Sequence, residues 1–291
     1  MAIQITLNME EEEKCCVVSC DKPIDENYWN QQYAANTVGW DLGVASPAIK
    51  NYINSLPSKD LSILIPGCGN AYEAEYLLEK GFTNITIIDI APLLVAKLQN
   101  KFASEKAITI ILGDFFDHKS KYDLIIEQTF FCALPPQLRQ RYVFQMHRLL
   151  KTEGTLAGLL FNRNFEDGPP FGGSKPEYED LFTDTFMITQ MGICPNSVEK
   201  RAGMELFFEM KKNDKSTVAL YRISGVTCKG CSKTITEKMR SIDGVLNCSI
   251  SLDFTQMLLV SVAPVAIDVL KDTISYDKKY QIEPIETSEY E

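Results

Sequence analysis

The feature that most constrains the fold is a short apolar run that ends in a glycine-rich turn and leads directly into a helix. Ile63-Leu64-Ile65 is followed by Pro66-Gly67-Cys68-Gly69, and apolar residues then recur at helical spacing from Ala71 to Lys80. An apolar run without polar interruptions is typical of a strand buried on both faces of a parallel sheet. The segment therefore predicts a buried parallel strand, a tight turn and a helix in direct succession.

The alternation of short apolar runs with helical patterns continues along most of the chain. Strands are predicted at 62–65, 85–89, 108–112, 122–126, 155–161, 186–191 and 205–210. Helices are predicted at 46–56, 71–80, 92–102 and 136–150. Because alternating strands and helices form α/β folds, we expect a doubly wound, Rossmann-like sheet.

A polar segment at residues 211–216 separates this pattern from a second one. Beyond it the predicted order is strand, helix, two strands, helix and strand, which is the α+β ferredoxin-like order βαββαβ. A chain of 291 residues has room for two domains. We therefore predict an N-terminal extension at 1–24, an α/β domain at 25–212, a linker at 213–216 and a ferredoxin-like domain at 217–285.

Composition disfavours several classes of function. The net charge is −10, whereas a nucleic-acid-binding surface needs a basic footprint, so we expect no nucleic-acid partner. No apolar run approaches the roughly 18 residues of a membrane span, and the N-terminus lacks the regions of a secretory signal. We therefore expect a cytoplasmic protein without membrane insertion. Two His leave little room for a His-based catalytic triad. His118, in the polar stretch 117–120, is expected to be exposed, and His147, on a predicted helix, to be structural.

The nine Cys need a separate explanation. A cytosolic chain keeps its thiols reduced, so core residues, metal ligands or reactive thiols are expected rather than a disulfide framework. Four are interpreted as packing residues: Cys68, Cys132, Cys194 and Cys248. Three near the start fit either a covering strand or frayed terminus, or a thiol-rich metal or redox site: Cys15, Cys16 and Cys20.

The glycine-rich turn and the acid after the next strand favour a nucleoside-bearing ligand. Glycines let a ligand approach the backbone, and the helix N-terminus beyond them offers free N–H groups. Asp89 ends the next strand and can accept hydrogen bonds from ribose hydroxyls. Tyr72 stands where the dinucleotide motif needs its third Gly, so S-adenosylmethionine fits better and a nucleotide-dependent oxidoreductase is disfavoured. A plain strand-to-helix turn is the alternative.

Asp114 and Phe115 follow the third predicted strand. The carboxylate can accept from an adenine amino group while the aromatic ring lies against the adenine face. The alternative is a helix cap by Asp114 beside core phenylalanines. Asp89 and Asp114 both fall at the carboxyl ends of predicted strands, where open α/β sheets bind ligands, and this favours the ligand interpretation.

Five segments resemble the thiopurine S-methyltransferase family. They are YWNQQY at 28–33, GWDLG at 39–43, PGCG at 66–69, EQTFFCALPP at 127–136 and GPPF at 168–171. The resemblance covers about residues 25–212 and is strongest to the thiol, thiocyanate and halide methyltransferase branch. It implies a methyltransferase that uses S-adenosylmethionine.

The resemblance also implies roles for aromatic residues near the N-terminus. Trp29, Tyr33 and Trp40 would close over the cofactor and shape the methyl-transfer pocket. Aromatic faces attract a sulfonium cation through cation–π interaction. Core packing is the alternative for the two Trp.

Five further residues receive roles from the same resemblance. Gly67 would approach the methionine part of the cofactor, Asp89 would hold the ribose, and Asp114 with Phe115 would hold the adenine. Gln128 would lie beside the cofactor near the acceptor. Trp29 and Gln128 are thus the residues expected at the reacting groups.

The chain departs from the family's usual residues at Asn70, Gln128 and Phe171. The last two lie near the expected acceptor pocket. They therefore bear on the substrate rather than on the type of chemistry.

A second motif, Cys228-Lys229-Gly230-Cys231, follows a predicted strand and opens a predicted helix. Two thiolates at this spacing suit near-linear Cu(I), whereas structural zinc needs four ligands. With the lead-in Gly225-Val226-Thr227, the motif resembles the heavy-metal-associated domain of copper chaperones and metal-pumping ATPases over about residues 217–285. The resemblance implies that Cys228 and Cys231 bind Cu(I) or another soft ion, and a fold with idle cysteines is the alternative.

The sequence therefore predicts an S-adenosylmethionine-dependent methyltransferase that acts on a small soft nucleophile, namely a thiol, hydrosulfide, thiocyanate or halide, with a fused soft-metal domain. A soft anion needs no general base, so the site only has to align donor and acceptor and exclude water. The alternative is a metal chaperone or sensor with a degenerate methyltransferase fold. A metal-donor protein is a further expected partner.

Overall fold

The first domain is built on a seven-stranded mixed sheet, seen in a computed structural model that describes residues 23–285. Its strands in chain order are β1 (Ile63–Pro66), β2 (Ile85–Asp89), β3 (Ile108–Leu112), β4 (Tyr122–Gln128), β5 (Leu150–Phe161), β6 (Phe186–Ile193) and β7 (Glu205–Lys212). The spatial order is β3-β2-β1-β4-β5-β7-β6. The first five strands are parallel and β7 is antiparallel to both its neighbours.

Six helices accompany this sheet within the described residues. They are α1 (Glu26–Ala34), α2 (Pro47–Ser55), α3 (Tyr72–Glu79), α4 (Pro92–Lys101), α5 (Arg139–Leu149) and α6 (Lys175–Phe182). Local sequence explains several starts. Asp25 caps α1 by accepting from the Tyr28 N–H at 3.0 Å, and proline occupies the first turn of α2 and α4, where no backbone donor is needed.

Successive residues of the central strands pack into two separate hydrophobic clusters. In β1, Ile63 and Ile65 belong to one cluster and Leu64 to the other. In β4, Ile125 likewise packs on the opposite side from Leu124 and Ile126. The sheet is therefore covered on both faces, which confirms the doubly wound, Rossmann-like fold expected from the continuous apolar runs.

The second domain contains an antiparallel four-stranded sheet and two helices. Its elements are β8 (Thr217–Ser224), α7 (Lys229–Arg240), β9 (Val245–Ile250), β10 (Gln256–Ser261), α8 (Ile267–Ile274) and β11 (Gln281–Pro284). The strand order is β11-β8-β10-β9. This βαββαβ order confirms the predicted α+β ferredoxin-like fold.

The segment between the domains is a hydrogen-bonded turn. The polar residues 211 and 212 are the last two of β7, so the linker predicted at 213–216 follows that strand directly. The Asn213 side-chain amide and the Ser216 hydroxyl donate to the Asp184 carbonyl at 2.8 and 2.9 Å. The connection at 213–216 is thus attached to the first domain.

Two sequence predictions differ from the structure. The helix predicted at 136–150 divides into a short 3₁₀ turn at Pro136–Leu138 and α5, because Leu150 pairs with Tyr122 as the first residue of β5. His118, expected to be exposed, is half-buried because its ring stacks on Tyr122 and its Nε2 lies 2.6 Å from the Tyr122 hydroxyl.

The described residues bear on two other expectations, the burial of four cysteines and the length of the helices. Cys68, Cys132, Cys194 and Cys248 are buried, as predicted for packing residues. None of the helices found between residues 23 and 285 combines the length and hydrophobicity that crossing a bilayer requires. Cys15, Cys16 and Cys20 lie outside the described residues.

Gly158 in β5 provides a test of the sheet. A Cβ on Gly158 would lie 2.0 Å from the Glu127 carbonyl oxygen in β4. Because that neighbour is backbone, Gly158→Ala should lower the free energy of unfolding by about 1–3 kcal/mol or more, measured by urea denaturation. Gly192→Ala is the matched control, since its Cβ meets no atom within 4 Å. Equal losses in the two variants would contradict this packing.

Candidate functional site

A cavity of about 660 Å³ lies at the carboxyl ends of the parallel strands, beneath α1 and the chain that follows it. This is the edge at which open α/β sheets bind ligands. All eight residues predicted at the methyl-transfer site line it: Trp29, Tyr33, Trp40, Gly67, Asp89, Asp114, Phe115 and Gln128. The structure therefore brings together residues that are spread over a hundred positions of the chain.

Gly67 forms the floor of the cavity in the turn after β1. Its φ of +54° is a conformation that other residues rarely adopt, and a Cβ there would lie 2.2 Å from the ring of Phe130. The absent side chain lets the Phe130 ring pack directly on the turn. Glycine is thus required here both by backbone geometry and by close packing.

Asp89 is fixed at the end of β2 by backbone donors. Its Oδ1 accepts from the Ala91 N–H at 3.0 Å, and its Oδ2 accepts from the Gly69 N–H at 3.3 Å. Burial raises the pKa of the Asp89 carboxyl to about 6, against the opposing effect of these N–H donors. The carboxylate keeps unused lone pairs, so it can accept from the hydroxyls of a ligand.

Asp114 both caps a short helix and faces the cavity. Its Oδ1 accepts from the Phe116 N–H at 2.8 Å, which starts a 3₁₀ turn at Phe115–Asp117. Phe115 is buried, with its ring centroid 5.0 Å from that of Phe130. The two interpretations of this segment are therefore compatible, because one carboxylate oxygen makes the cap while the residue lines the cavity.

Three aromatic side chains form a cover over the cavity, which we call the aromatic cover: Trp29, Tyr33 and Trp40. The centroid of Trp40 lies 5.4 Å from Trp29 and 5.9 Å from Tyr33, and both pairs are nearly perpendicular. Edge-to-face pairs of this kind are favourable. Asn30 of α1 connects the cover to the start of α4, because its Oδ1 accepts from the Leu93 N–H at 2.9 Å.

Asp41 links the cover to the glycine-rich turn. Its Oδ2 accepts from the Asn70 side-chain amide and from the Tyr72 hydroxyl, the latter at 3.2 Å. Tyr72, which replaces the third Gly of a dinucleotide motif, thus has a structural role in closing the cavity.

Arg201 is a site residue that the sequence reasoning missed. The side chain is almost buried, its Nη2 donates to the Trp40 carbonyl at 2.8 Å, and its Nη1 lies 3.2 Å from Glu205 Oε1. Its guanidinium also lies over the Phe161 ring and borders the cavity. No local motif marks Arg201, because Trp40 is 161 residues away in the sequence.

Glu127 was likewise missed, although it stands inside a recognised motif. It is fully buried and accepts from the N–H groups of Phe130 and Phe131 at 2.7 and 2.9 Å and from the Tyr142 hydroxyl at 2.7 Å. Burial raises the pKa of Glu127 to about 7. These bonds set the turn after β4, which presents Gln128 to the cavity.

Gln128 supplies an unused polar atom to the site. Its Oε1 is buried and, within residues 23–285, has no hydrogen-bond partner. A buried oxygen without a partner is costly, and a ligand group in the cavity would satisfy it. This observation fits the role that the resemblance implies for Gln128.

Apolar groups and the guanidinium groups of Arg141 and Arg201 also line the cavity. Cys132, Phe161, Pro169 and Pro170 line it. Burial raises the pKa of the Cys132 thiol well above its usual range, so the thiol stays neutral and is not a ready nucleophile. Neither His118 nor His147 is among the lining residues.

The metal loop of the second domain places its two thiols together. Cys228 Sγ lies 3.1 Å from Cys231 Sγ, and the Cys231 N–H donates to Cys228 Sγ at 3.3 Å. Hydrogen bonds from the Tyr280 hydroxyl and from Cys228 lower the pKa of the Cys231 thiol to about 6. Tyr280, which the sequence reasoning missed, precedes β11, the strand next to β8.

The donor set of this loop fits a two-coordinate soft ion. Among the residues described, no group of three or more His, Cys, Asp and Glu side chains could hold a metal ion together. Two thiols, one of them readily ionised, suit near-linear Cu(I) better than tetrahedral zinc.

Comparison with known proteins decides the family of the larger domain. Residues 24–212 match the thiopurine S-methyltransferase family. The chain belongs to this family. It is therefore an S-adenosylmethionine-dependent methyltransferase, as the motifs predict. Residues 220–279 match the heavy-metal-associated domain, which confirms the second resemblance.

Individual relatives agree with the family. A probable thiol methyltransferase 2 from Arabidopsis thaliana is 30% identical over 193 residues, which are 64% of this chain and 84% of the relative. Thiocyanate methyltransferase 1 from Brassica oleracea is 27% identical over 195 residues, 65% of this chain and 86% of the relative.

A solved structure agrees with the fold. The 1,6-didemethyltoxoflavin-N1-methyltransferase of Burkholderia thailandensis superposes with a TM-score of 0.52 at 17% identity, over 65% of this chain and 87% of that one. At that identity the likeness supports the methyltransferase fold alone.

The buried Arg201–Glu205 pair provides a test of the cover. Arg201→Met leaves Glu205 buried without its ionic partner, so the free energy of unfolding should fall by about 3–5 kcal/mol in urea denaturation. The double variant Arg201→Met/Glu205→Leu should recover most of this loss, because it removes the unpaired charge. Additive losses in the double variant would contradict a coupled pair.

Proposed function

We propose that this methyltransferase transfers a methyl group to a small, soft, anionic acceptor: a thiolate, hydrosulfide, thiocyanate or halide. The observation that carries the proposal is a buried guanidinium, Arg201, in a cavity whose lining residues include no histidine and whose two thiols, Cys68 and Cys132, have pKa values raised by burial. An acceptor that arrives as an anion needs charge stabilisation rather than a general base. The names of the thiol and thiocyanate methyltransferase relatives agree with this class of acceptor.

The cavity residues fit the methyl donor. Asp89 would accept from the ribose hydroxyls, Asp114 and Phe115 would hold the adenine, and Gly67 would lie beside the methionine part. Bound S-adenosylmethionine supplies an electrophilic methyl group on a sulfonium. Trp29 would hold this charge by cation–π attraction, and the unpartnered Gln128 Oε1 would accept from a donor group of the ligand.

The aromatic cover and Arg201 shape the reaction. By closing over the cavity, Trp29, Tyr33 and Trp40 exclude water, which strengthens electrostatic interactions within the site. Arg201 positions the cover through the Trp40 carbonyl and attracts the anionic acceptor toward Phe161. Alignment of the two reactants in a dry cavity is then sufficient for an in-line transfer.

The second domain would bind a soft metal ion, Cu(I) in particular, through Cys228 and Cys231. The support is the position of the two thiols side by side at the start of α7 and the lowered pKa of Cys231. Cys228 is exposed, so a metal-donor protein could reach the loop.

The acceptor is tested by product. Purified full-length protein with S-adenosylmethionine and hydrosulfide, iodide or thiocyanate should release methanethiol, methyl iodide or methyl thiocyanate, detected in the headspace by gas chromatography. Arg201→Gln, made together with Glu205→Gln so that no unpaired charge is left buried, should raise the KM of the anionic acceptors by about tenfold or more, since hydrogen bonds to charged groups are worth about 1.5–3 kcal/mol.

A protein that forms none of these products would contradict the proposed acceptor class. If it also bound Cu(I) tightly, and Cys228→Ser abolished that binding, a metal chaperone or sensor with a degenerate methyltransferase fold would be favoured instead.

The donor site has an expected pH dependence. Because the pKa of Asp89 is raised to about 6, its carboxylate loses its charge as the pH falls through 6. The affinity for S-adenosylmethionine should therefore fall from pH 7 to pH 5, by at most about tenfold per unit. The chain's two Trp both stand in the aromatic cover, so Trp fluorescence measures the binding.

Asp89→Asn is the control for this titration. Glu127, whose pKa is about 7, ionises in the same range and supports the wall beside Gln128. The effect of Glu127 ionisation on cofactor affinity is also present in Asp89→Asn. The difference between the pH profiles of wild type and Asp89→Asn therefore isolates the effect of Asp89. Parallel profiles would contradict a ribose-binding role for its ionised form.

A further inference from the structure

Both faces of the sheet in the second domain carry buried apolar residues. In β10, Leu259 packs into the core beneath α7 and α8, whereas Leu258 belongs to the core cluster of the first domain. In β8, Tyr221 and Leu220 divide in the same way. Because neighbouring side chains on a strand point to opposite faces, the face that carries Leu220 and Leu258 packs at its centre against the first domain.

The element beneath that face is α5. Both β8 and β10 pack against it. At the rim, the side-chain amide of Gln140 lies 3.5 Å from the Ser249 hydroxyl and from the Ile250 carbonyl. The Asn247 amide donates to the Asp180 carbonyl at 3.4 Å, at the end of α6. With the hydrogen-bonded turn at 213–216, the second domain is docked rather than tethered.

The other side of α5 holds the methyl-transfer cavity together. Its Arg139 donates to the Gly172 carbonyl at 2.6 Å, next to the GPPF segment. One turn along, the Tyr142 hydroxyl donates to Glu127 at 2.7 Å, and Gln145 donates to the Phe115 carbonyl at 2.7 Å. A single helix thereby fixes the acceptor wall, the turn that carries Gln128 and the expected adenine wall.

We propose that the metal-binding domain is a positioning element of the methyl-transfer site, and that Leu220 and Leu258 act by pressing α5 against the cavity walls. The inference rests on methyl transfer in the first domain and not on which acceptor is used. Without this contact, α5 samples positions in which the walls are not assembled. Apparent affinity falls in proportion to the fraction of molecules that are competent to bind, while the turnover of saturated enzyme is preserved.

Adjacent leucines offer a matched experiment in the full-length chain. Leu258 and Leu259 are both almost fully buried and differ only in the face that they occupy. Leu258→Ala should raise the Kd for S-adenosylmethionine and the KM of the acceptor several-fold with kcat within twofold. Leu259→Ala should leave these constants within twofold of wild type and weaken Cu(I) binding instead. Trp fluorescence, initial rates and competition with a Cu(I) chelator measure these quantities.

The outcomes distinguish an effect on the position of α5 from a general loss of folding stability. Both substitutions destabilise a buried core, so unequal kinetic constants at equal temperature, well below both unfolding midpoints, support the proposal. Equal changes in the two variants, or unchanged Kd and KM in Leu258→Ala, overturn it. If an alanine variant does not fold, Leu258→Val and Leu259→Val repeat the comparison with the same expected signs. Wild-type protein that binds S-adenosylmethionine but methylates no tested anion contradicts the acceptor class alone, because the Kd comparison remains.

Discussion

The buried carboxylate of Glu127 is the interaction on which the rest of the site depends. It accepts from two backbone N–H groups of the turn after β4 and from Tyr142 of α5. Removing a charge from water is expensive, and these three donors offset that cost. The turn carries Phe130, whose ring packs on Gly67, and presents Gln128 to the cavity. One carboxylate thus sets the positions of the floor, one wall and the supporting helix.

Fusion of the two domains changes the surroundings of α5. In a doubly wound sheet an outer helix normally has one face in the core and one in water, as amphipathic periodicity requires. Here the second face is covered by the sheet that contains Leu220 and Leu258. A ferredoxin-like sheet, with its helices on one side, has a bare face to cover. Each domain therefore buries an apolar surface that the other would expose.

The sequence predicts features that depend on neighbouring residues and misses those that depend on distant ones. Buried strands follow from apolar runs, and the turn at Gly67, the acid at Asp89 and the paired thiols follow from local motifs. Arg201 could not be predicted, because its partner Trp40 comes from the other end of the domain. The contact between the second sheet and the first domain is indicated in the sequence. Met257-Leu258-Leu259-Val260 is apolar at every position, which is typical of a strand buried on both faces.

The soft partners proposed for the two sites would be selected by different physical means. The metal loop would select by ligand type, since thiolate sulfur prefers soft cations and the Tyr280 hydroxyl helps to keep Cys231 ionised. The cavity would do so through the chemical groups that it lacks. Its lining residues include many apolar groups and the guanidinium groups of Arg141 and Arg201, but no histidine that could remove a proton. The proposed acceptor, a nucleophile that is already anionic and loses its hydration at modest cost, suits such a cavity.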